Sequence, residues 1–435
     1  MPSRLRWLFA LGIALFHAVP AAAQQLESFD SVWAIVQRTH FDTTFNGVDW
    51  RAAREEFRPR AASAQSNAEL RVVLMEMLGR LGQSHFALLA HETTAEDEAY
   101  GGGPGELGMD VRFLDGDVVV VDVRKDGPAD RAGVRRGWIV EQIDQNEMST
   151  VVERARQRDA RAPNAAASSV ARVLLNGAVG STATLRVRDH NDQTRTLRIE
   201  RVRDSGLPVR LGNLPTFFAT LQSSRLDTTP GGIGLIRFNA WMVPLMPRVD
   251  SAFDRFRNAD GIVIDLRGNP GGVGAMSVGV ANQIVDSAYS LGTMKTRQGQ
   301  LHFRISPRRL DTQGQRVRPY DGPVAVLTDE LTASTSEIFV VGLQALGRIR
   351  VFGQPTAGAA LPAVLEKLPN GDLFMHAIAD FVASDGTRPE GRGAIPEELV
   401  STTRVDLLAG RDRVLEAAIE WIRQQRAVKP STQGT

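Results

Sequence analysis

The chain has 435 residues, a formal net charge of +1 and no cysteine. Its length is enough for about two or three domains with a sizeable hydrophobic core, and its composition is typical of a soluble globular protein. A net charge so close to zero gives no bulk electrostatic reason to expect nucleic acid or an anionic membrane surface as a partner. The absence of cysteine excludes disulfides, a thiol nucleophile, thiolate metal sites and a lipoprotein anchor.

The N-terminus, residues 1–23, is predicted to be a secretory signal sequence. Arg4 and Arg6 precede an apolar run over 7–19, and a run of alanines ends at Ala23. This order of basic, apolar and small residues is typical of a cleavable signal, and the apolar run is short for a bilayer span. We therefore expect cleavage after Ala23 and a periplasmic or secreted chain without stable membrane insertion; a short buried helix is the alternative.

Residues 24–98 are predicted to form a helical N-terminal domain. The stretches 28–40 and 67–82 have apolar residues at helical spacing, and Asn67 is expected to cap the second helix. The stretch 96–108 is acidic and then rich in glycine, and this change of composition marks the start of a new domain.

Residues 99–204 are predicted to form a β-rich domain. Tight turns separate its strand patterns, and helices are expected at 129–132 and around 151–173. Two alternating strands follow, joined by a turn at Asn191 and Asp192. About a hundred residues is an ordinary domain size.

Residues 205–425 are predicted to form an α/β core. Buried strand patterns alternate there with helix patterns, which is typical of a sheet flanked by helices. The last residues, 426–435, are predicted to be a disordered tail.

Ser334 is a candidate nucleophile at a turn between a strand and a helix. It belongs to the stretch TASTSEIF, residues 332–339, which follows a buried strand pattern and leads into an apolar helix pattern. A serine hydroxyl needs a base to take its proton before it can attack. The same pattern is typical of helix capping, and Ser336 is expected to be the cap residue.

The turn DLRGNPGG, residues 265–272, follows another buried strand pattern. Its glycines leave backbone N–H groups open to an anion. It lacks the ending of a phosphate loop and the glycine spacing of a dinucleotide fingerprint. It is therefore either an ordinary turn or, if a nucleophile lies nearby, part of an oxyanion hole.

Ser84 and His85 close an apolar helix in the stretch LGQSHFALL, and Glu390 lies in a loop rich in glycine and proline. Alone, a histidine at such a helix end is more often structural, and a glutamate in such a loop is normally solvated. No metal site is expected, because the other histidines after residue 23 show no metal-ligand spacing. They are His40, His91, His190, His302 and His376.

Together, these stretches resemble the C-terminal processing (tail-specific) serine peptidase family in order and content. The segments that carry the resemblance are LGQSH, DLRGNPGG, the S-x-S-E-I segment over 334–338 and the closing EGRGAIP. The resemblance covers nearly the whole chain after residue 23. It implies a helical N-terminal segment, an inserted PDZ-like β-rich domain and an α/β (ClpP/crotonase-like) catalytic core, with Ser334 as the nucleophile.

The module at 99–204 is similar to the PDZ domain inserted in these peptidases. GELGMDV corresponds to the carboxylate-binding loop and the first strand, which implies tail binding by Gly105, Glu106, Leu107 and Gly108. A PDZ domain holds a C-terminal carboxylate on backbone N–H groups while the peptide adds as a strand. The sequence departs from the family at Trp138, where aspartate is usual. The alternative is that the module serves only as a spacer or lid.

The usual base of the family is absent. Most members use a serine–lysine dyad whose lysine follows a G-x-P-T-x-G stretch, and Ala359 occupies that position here. Lysine is scarce, and Lys367 is the next one along the chain. The tricorn core protease branch instead uses a histidine preceded by a serine, together with a glutamate in the closing loop.

The resemblance to this branch implies that Ser334 attacks and that His85 takes and returns the proton. Glu390 and Ser84 would then hold and polarise the imidazole. The Thr335 N–H and one glycine N–H are expected to form the oxyanion hole. The sequence leaves open whether that glycine is Gly271 or Gly272.

The sequence therefore predicts a secreted or periplasmic serine endopeptidase that cleaves polypeptides selected by their C-terminal tails, with no metal or organic cofactor. One alternative is a catalytically inactive tail-binding protein on the same fold, which the missing lysine and Trp138 favour. Another is a lipid or retinoid binder on the same core, although no long apolar stripe supports it. The substrate, the oligomeric state and the effect of the PDZ-like module on the site stay open.

Overall fold

The computed structural model describes residues 21–91, 105–159, 161–226 and 231–428. Nearly all of the predicted signal sequence lies outside these residues, as does the tail after Val428. The closing helix includes 426–428, so the start of the predicted tail is helical. Among the described residues, no helix is long and apolar enough to cross a membrane.

The described part of the N-terminal segment contains three α-helices, a short 3-10 helix at Phe45–Gly47 and one short strand: α1 Ala21–Thr39, α2 Trp50–Ala62, α3 Asn67–Gly79 and β1 Ala87–Leu89. The cap of α3 is Ser66, whose side chain accepts from the Glu69 N–H, and Asn67 is the first helical residue. The prediction of Asn67 as the cap was wrong by one position. The helices enclose an apolar cluster that contains Phe29, Trp50 and Leu74.

The next unit is rich in β-structure. Its elements are β2 Gly105–Glu106, β3 Met109–Leu114, β4 Asp117–Val123, α4 Pro128–Arg131, β5 Ile139–Ile143, β6 Asn146–Glu147, α5 Met148–Arg158, α6 Pro163–Leu175, β7 Thr182–Arg188, β8 Thr194–Glu200 and β9 Val202–Arg203. The main sheet has the order β3-β4-β5-β7-β8. The single helix expected around 151–173 is two helices, since Pro163 begins a new one. Trp138 is buried in the unit's own apolar cluster.

The third part is the α/β core. Its elements are β10 Leu207–Val209, β11 Phe217–Ala219, β12 Leu221–Arg225, β13 Ile233–Phe238, α7 Met246–Arg255, β14 Gly261–Asp265, α8 Gly274–Ala281, β15 Tyr289–Thr296, β16 Gln300–Ile305, β17 Val324–Thr328, α9 Thr335–Ala345, β18 Arg350–Gly353, β19 Ala363–Lys367, β20 Leu373–Ala377, β21 Ala379–Ala383, β22 Glu398–Leu399, α10 Arg404–Leu408 and α11 Arg413–Val428. A six-stranded sheet has the order β12-β13-β14-β17-β18-β22. All its neighbours pair in parallel except β12 and β13. The α/β fold class is confirmed.

The sheet topology gathers the candidate residues at one edge. Strands β13, β14 and β17 are parallel neighbours that end at Phe238, Asp265 and Thr328. Because the carboxyl ends of parallel strands share an edge, the segments that follow them meet there. These segments include the glycine-rich turn and Ser334.

The N-terminal segment is joined to the core by a shared sheet and a shared cluster. Strand β1 pairs antiparallel with β20, with Ala87 opposite Met375. Leu361 and Phe374 of the core lie in the same apolar cluster as the N-terminal helices. This pairing anchors the loop that carries His85 to the core.

Candidate active site

Ser334 lies at the turn between β17 and α9 in an unusual backbone conformation. Its φ is 57° and its ψ is −119°, a combination that non-glycine residues rarely adopt and that costs about 1–3 kcal/mol. The Ser334 N–H donates to the Ala359 carbonyl at 2.8 Å and to Glu337 Oε2 at 3.0 Å. A strained serine at a strand-to-helix turn resembles the geometry that exposes the nucleophile in other hydrolases.

The Glu337 carboxylate stabilises this turn through hydrogen bonds. It is fully buried, and besides Ser334 it accepts from Thr356 Oγ1 at 2.5 Å, the Gly358 N–H at 2.7 Å and the Ala359 N–H at 3.0 Å. Burial raises the pKa of Glu337 to about 7, although all four donors favour the ionised form. The sequence pattern indicated only a capping acid here.

Ser336 is a core residue. It is buried, and its hydroxyl accepts from Trp241 Nε1 at 2.7 Å and donates to the Asn269 carbonyl at 3.2 Å. The helix cap is Ser334, since α9 begins at Thr335. The prediction of Ser336 as the cap was therefore wrong, because the helix starts two residues earlier than that assignment requires.

The glycine-rich turn packs directly on Ser334. Gly271 has a φ of 104°, and a β-carbon there would stand 2.6 Å from Ser334 Cβ. Its N–H already donates to Asn269 Oδ1 at 3.0 Å. The Gly272 and Thr335 N–H groups have no acceptor among the described residues.

The side chain of Thr335 links the two residues that carry these N–H groups. Its hydroxyl donates to the Gly272 carbonyl at 2.8 Å. Asn269 holds the turn from the other side, because its Nδ2 donates to the Phe238 carbonyl at 2.9 Å. Of the two predicted glycines, Gly272 is therefore the one whose N–H has no acceptor in the part of the chain that the structure describes.

Ser84, His85 and Glu390 form one hydrogen-bonded chain. The Ser84 hydroxyl donates to Glu390 Oε2 at 2.8 Å and lies 2.7 Å from His85 Nδ1. The Ser84 N–H also donates to Glu390 Oε1 at 2.8 Å. Because the hydroxyl hydrogen points to Glu390, Nδ1 must be the protonated ring nitrogen, which leaves His85 Nε2 as an acceptor.

Burial favours a neutral His85. It lowers the pKa of the imidazole below the ordinary value of 6.5, while the Glu390 charge partly opposes this shift. The residue has a positive φ of 60°, a conformation that is uncommon for residues other than glycine. A neutral imidazole with a free acceptor nitrogen is the form that a general base requires.

A single peptide unit connects this chain to the nucleophile turn. The Ala359 carbonyl accepts from the Ser334 N–H, and the next N–H, that of Ala360, donates to Glu390 Oε2 at 3.0 Å. No hydrogen bond joins His85 to Ser334 within the described part of the chain. In unliganded enzymes such contacts are often long and tighten when substrate binds.

The residues predicted to bind a peptide tail belong to the β-rich unit. Gly105 and Glu106 form β2, and the loop with Leu107 and Gly108 leads into β3. Glu106, Leu107 and Gly108 line a groove of about 1000 Å³ between the β-rich unit and the core. In the described residues, no group of three His, Asp or Glu side chains could hold a metal ion.

Comparisons with known proteins agree on one family. Residues 232–400 match peptidase family S41, and residues 21–79 match the tricorn protease C1 domain. A carboxyl-terminal-processing protease of Picosynechococcus is 25% identical over 413 residues, covering 93% of this chain and 90% of that protein.

Solved structures show the same fold. A photosystem II D1 C-terminal processing protease superposes with a TM-score of 0.58 at 21% identity, covering 92% of this chain and 97% of that chain. Tricorn protease superposes with a TM-score of 0.52 at 17% identity, covering 93% of this chain and 37% of that chain.

Proposed function

This chain belongs to the C-terminal processing serine peptidases of family S41, and we propose that it cleaves polypeptides internally through an acyl-enzyme on Ser334. The observation that carries the proposal is the chain from Glu390 through Ser84 to His85. At the Glu390 end of this chain, Oε2 accepts a hydrogen bond from the Ala360 N–H, and the carbonyl of the same peptide unit accepts one from the Ser334 N–H. A serine on a strained turn and a neutral histidine with a fixed tautomer are the two parts that acyl transfer needs.

In the first step, the Ser334 hydroxyl attacks the scissile carbonyl while His85 Nε2 takes its proton. The imidazolium that forms is stabilised by Glu390 through the Ser84 hydroxyl. The carbonyl oxygen becomes an oxyanion, and we assign its two donors to the Gly272 and Thr335 N–H groups. Preorganised donors of this kind contribute about 3–4 kcal/mol each to transition-state stabilisation.

In the second step, the tetrahedral intermediate collapses and the C–N bond breaks. His85 gives its proton to the leaving amine, and the acyl group stays on Ser334. A water then attacks the acyl-enzyme while His85 again takes a proton, and the second collapse releases the carboxylic acid and restores the serine. No step uses a lysine.

We propose further that the enzyme acts outside the cytoplasm on polypeptides selected by their C-termini. The signal pattern over 1–23 supports the location, and the sequence similarity of 99–204 to a PDZ domain supports the selection. The groove beside Gly108 offers space for a peptide end. A catalytically inactive tail-binding protein is the second candidate, favoured by Ala359 at the usual lysine position.

Labelling with a fluorophosphonate tests the proposal, because the reagent needs an activated serine. The wild-type protein and the Ser251→Ala control, which alters an exposed serine on α7, should label equally. Ser334→Ala should not label and should stay folded, with a loss of stability of about 1 kcal/mol for the missing helix cap. A wild-type protein that does not label would contradict the proposed reaction and favour the inactive tail-binding protein.

A further inference from the structure

The groove proposed to take a peptide tail already contains a carboxylate. Glu106 Oε2 accepts from the Gly108 N–H at 2.6 Å, and Glu106 Oε1 lies 2.5 Å from Arg124 Nη2. The Gly108 N–H belongs to the loop in which backbone donors would hold the carboxylate of a bound tail. An internal side chain therefore occupies the position expected for the ligand's charged end.

The neighbouring strand edge is also occupied by side chains. In β3, the Val111 N–H donates to Asp110 Oδ1 at 2.9 Å, and the Phe113 N–H donates to Ser168 Oγ at 2.9 Å. Residues two apart in a strand point the same way, so these N–H groups belong to one edge. A peptide that adds as a strand would need these same donors.

Asp110 and Ser168, which occupy this strand edge, have more contacts that hold them in place than Glu106 has. Asp110 pairs with Arg172 Nε and Arg112 Nη1, each at 2.9 Å. Although burial opposes ionisation, Arg112 and Arg172 hold the pKa of Asp110 at about 2. Ser168 is fully buried and also donates to Glu330 Oε1 at 3.1 Å. Neither residue can leave the edge without breaking contacts to other elements.

Glu106 can leave more easily. Among the described residues, its carboxylate contacts one loop N–H and one arginine, and the Arg124 side chain is 35% exposed. An incoming carboxylate could take both partners without loss of charge pairing. Beside this position, Val173 of α6 lines the groove with 66% of its surface exposed, which suits an apolar terminal side chain.

We propose that Glu106 is an internal competitor for the tail carboxylate, and that the groove therefore recognises only the free carboxylate and the last apolar residue of a polypeptide. Binding exchanges the Glu106 carboxylate for that of the tail, and Arg124 becomes the counter-ion of the bound terminus. Residues further from the terminus gain no backbone pairing, because the Val111 and Phe113 N–H groups stay occupied. This inference rests on the proposed tail-selecting function of the module.

Calorimetry on the chain from residue 24 to residue 435 tests the competition between Glu106 and the peptide tail. The Ser334→Ala background prevents cleavage, and the probe is acetyl-Gly-Ser-Gly-Ser-Ala-Leu-Val with either a free or an amidated C-terminus. Glu106→Ala in this background should bind the free acid about tenfold more tightly than its parent, since a charge-assisted competitor is gone. Glu106→Gln should change affinity in the same direction, and Glu153→Gln, an exposed acid on α5, should have no effect.

The outcomes separate this inference from the function on which it rests. Equal preference for the free acid in the parent and in Glu106→Ala would leave tail selection standing and overturn the competition. The absence of any preference for the free acid in every variant would overturn both. Hydrogen exchange over 105–112 checks that Glu106→Ala is folded, and it should show faster exchange at the Gly108 amide.

Varying the peptide length tests whether the groove recognises only the free carboxylate and the last apolar residue. In Glu106→Ala, acetyl-Ala-Leu-Val and the seven-residue probe should bind with affinities within about twofold of each other. A gain of about tenfold or more for the longer peptide would show strand addition along β3. That result would overturn the claim that the edge stays occupied.

Discussion

Ala359 accepts a hydrogen bond from the Ser334 N–H at 2.8 Å, so the residue in place of the expected lysine holds the nucleophile turn through its backbone. The same peptide unit donates to Glu390 through the Ala360 N–H at 3.0 Å. A side chain at this position is not needed if the base comes from another segment. The geometry accordingly favours the histidine chemistry over a lysine dyad.

The acid limb of activity should lie below pH 6.5. The base must be unprotonated, and burial lowers the pKa of His85 from that value. Since the Glu390 charge raises this pKa, Glu390→Gln should move the limb to still lower pH. The variant should also have a lower plateau, because an amide cannot accept from the Ser84 N–H, the Ser84 hydroxyl and the Ala360 N–H together.

A pH profile of kcat/KM for a peptide substrate measures both effects. A limb at or above pH 6.5 in the wild type, or a limb that moves upward in Glu390→Gln, would contradict the assigned network.

Ser84→Ala should lower kcat by about a hundredfold without unfolding the protein. The change removes the acceptor of the His85 Nδ1 proton and separates the imidazole from Glu390. Ser84→Thr keeps a hydroxyl and is the matched control, with an expected kcat within about threefold of wild type. Equal activities of the alanine and threonine variants would show that the hydroxyl plays no part.

Ser336→Ala should destabilise the fold and leave the nucleophile reactive. The variant leaves the buried Trp241 indole N–H without its partner, at a cost of about 1–3 kcal/mol. Urea unfolding measures this loss, with Ser251→Ala as the neutral surface control. Fluorophosphonate labelling of folded Ser336→Ala should match wild type, and its loss would mean that Ser336 takes part in the chemistry.

Glu337 should make the fold less stable as the pH rises. Burial raises its pKa from 4.5 to about 7, so the folded chain binds a proton that the unfolded chain has released between these values. Its contribution to the free energy of unfolding is complete below pH 4.5. Roughly 3 kcal/mol of this free energy is lost as the pH rises through 7.

Urea unfolding at pH 5 and pH 8 tests this linkage. The free energy of unfolding of Glu337→Gln should fall less between the two pH values than that of wild type. The exposed control Glu153→Gln should follow wild type. An equal fall in wild type and Glu337→Gln would contradict a raised pKa.

The sequence predicted the α/β class and the segments that meet at the site. These segments were recognisable because glycine-rich and hydroxyl-rich turns follow buried strand patterns, and parallel strands bring such turns to one edge. The domain boundaries and the catalytic roles stay predictions. The choice between Gly271 and Gly272 depended on where the Asn269 side chain points, which no local pattern encodes.

Two further features lay beyond sequence reasoning for physical reasons. Ser336 fits a capping pattern, but the helix begins at Thr335, and the strained Ser334 is its cap. Glu106 fits a carboxylate-binding loop, yet its own side chain reaches back to the Gly108 N–H. Both depend on contacts and backbone conformations that form only in the folded chain.

The central claim is that His85 is the base, and single-turnover acylation of Ser334 tests it most directly. Rapid-quench measurements with excess enzyme would compare wild type, His85→Ala and Lys367→Ala, the last altering the lysine nearest in sequence to Ala359. The account predicts that His85→Ala slows acylation by about four orders of magnitude and that Lys367→Ala acylates at the wild-type rate. Acylation at the wild-type rate by His85→Ala, together with its loss in Lys367→Ala, would contradict the account.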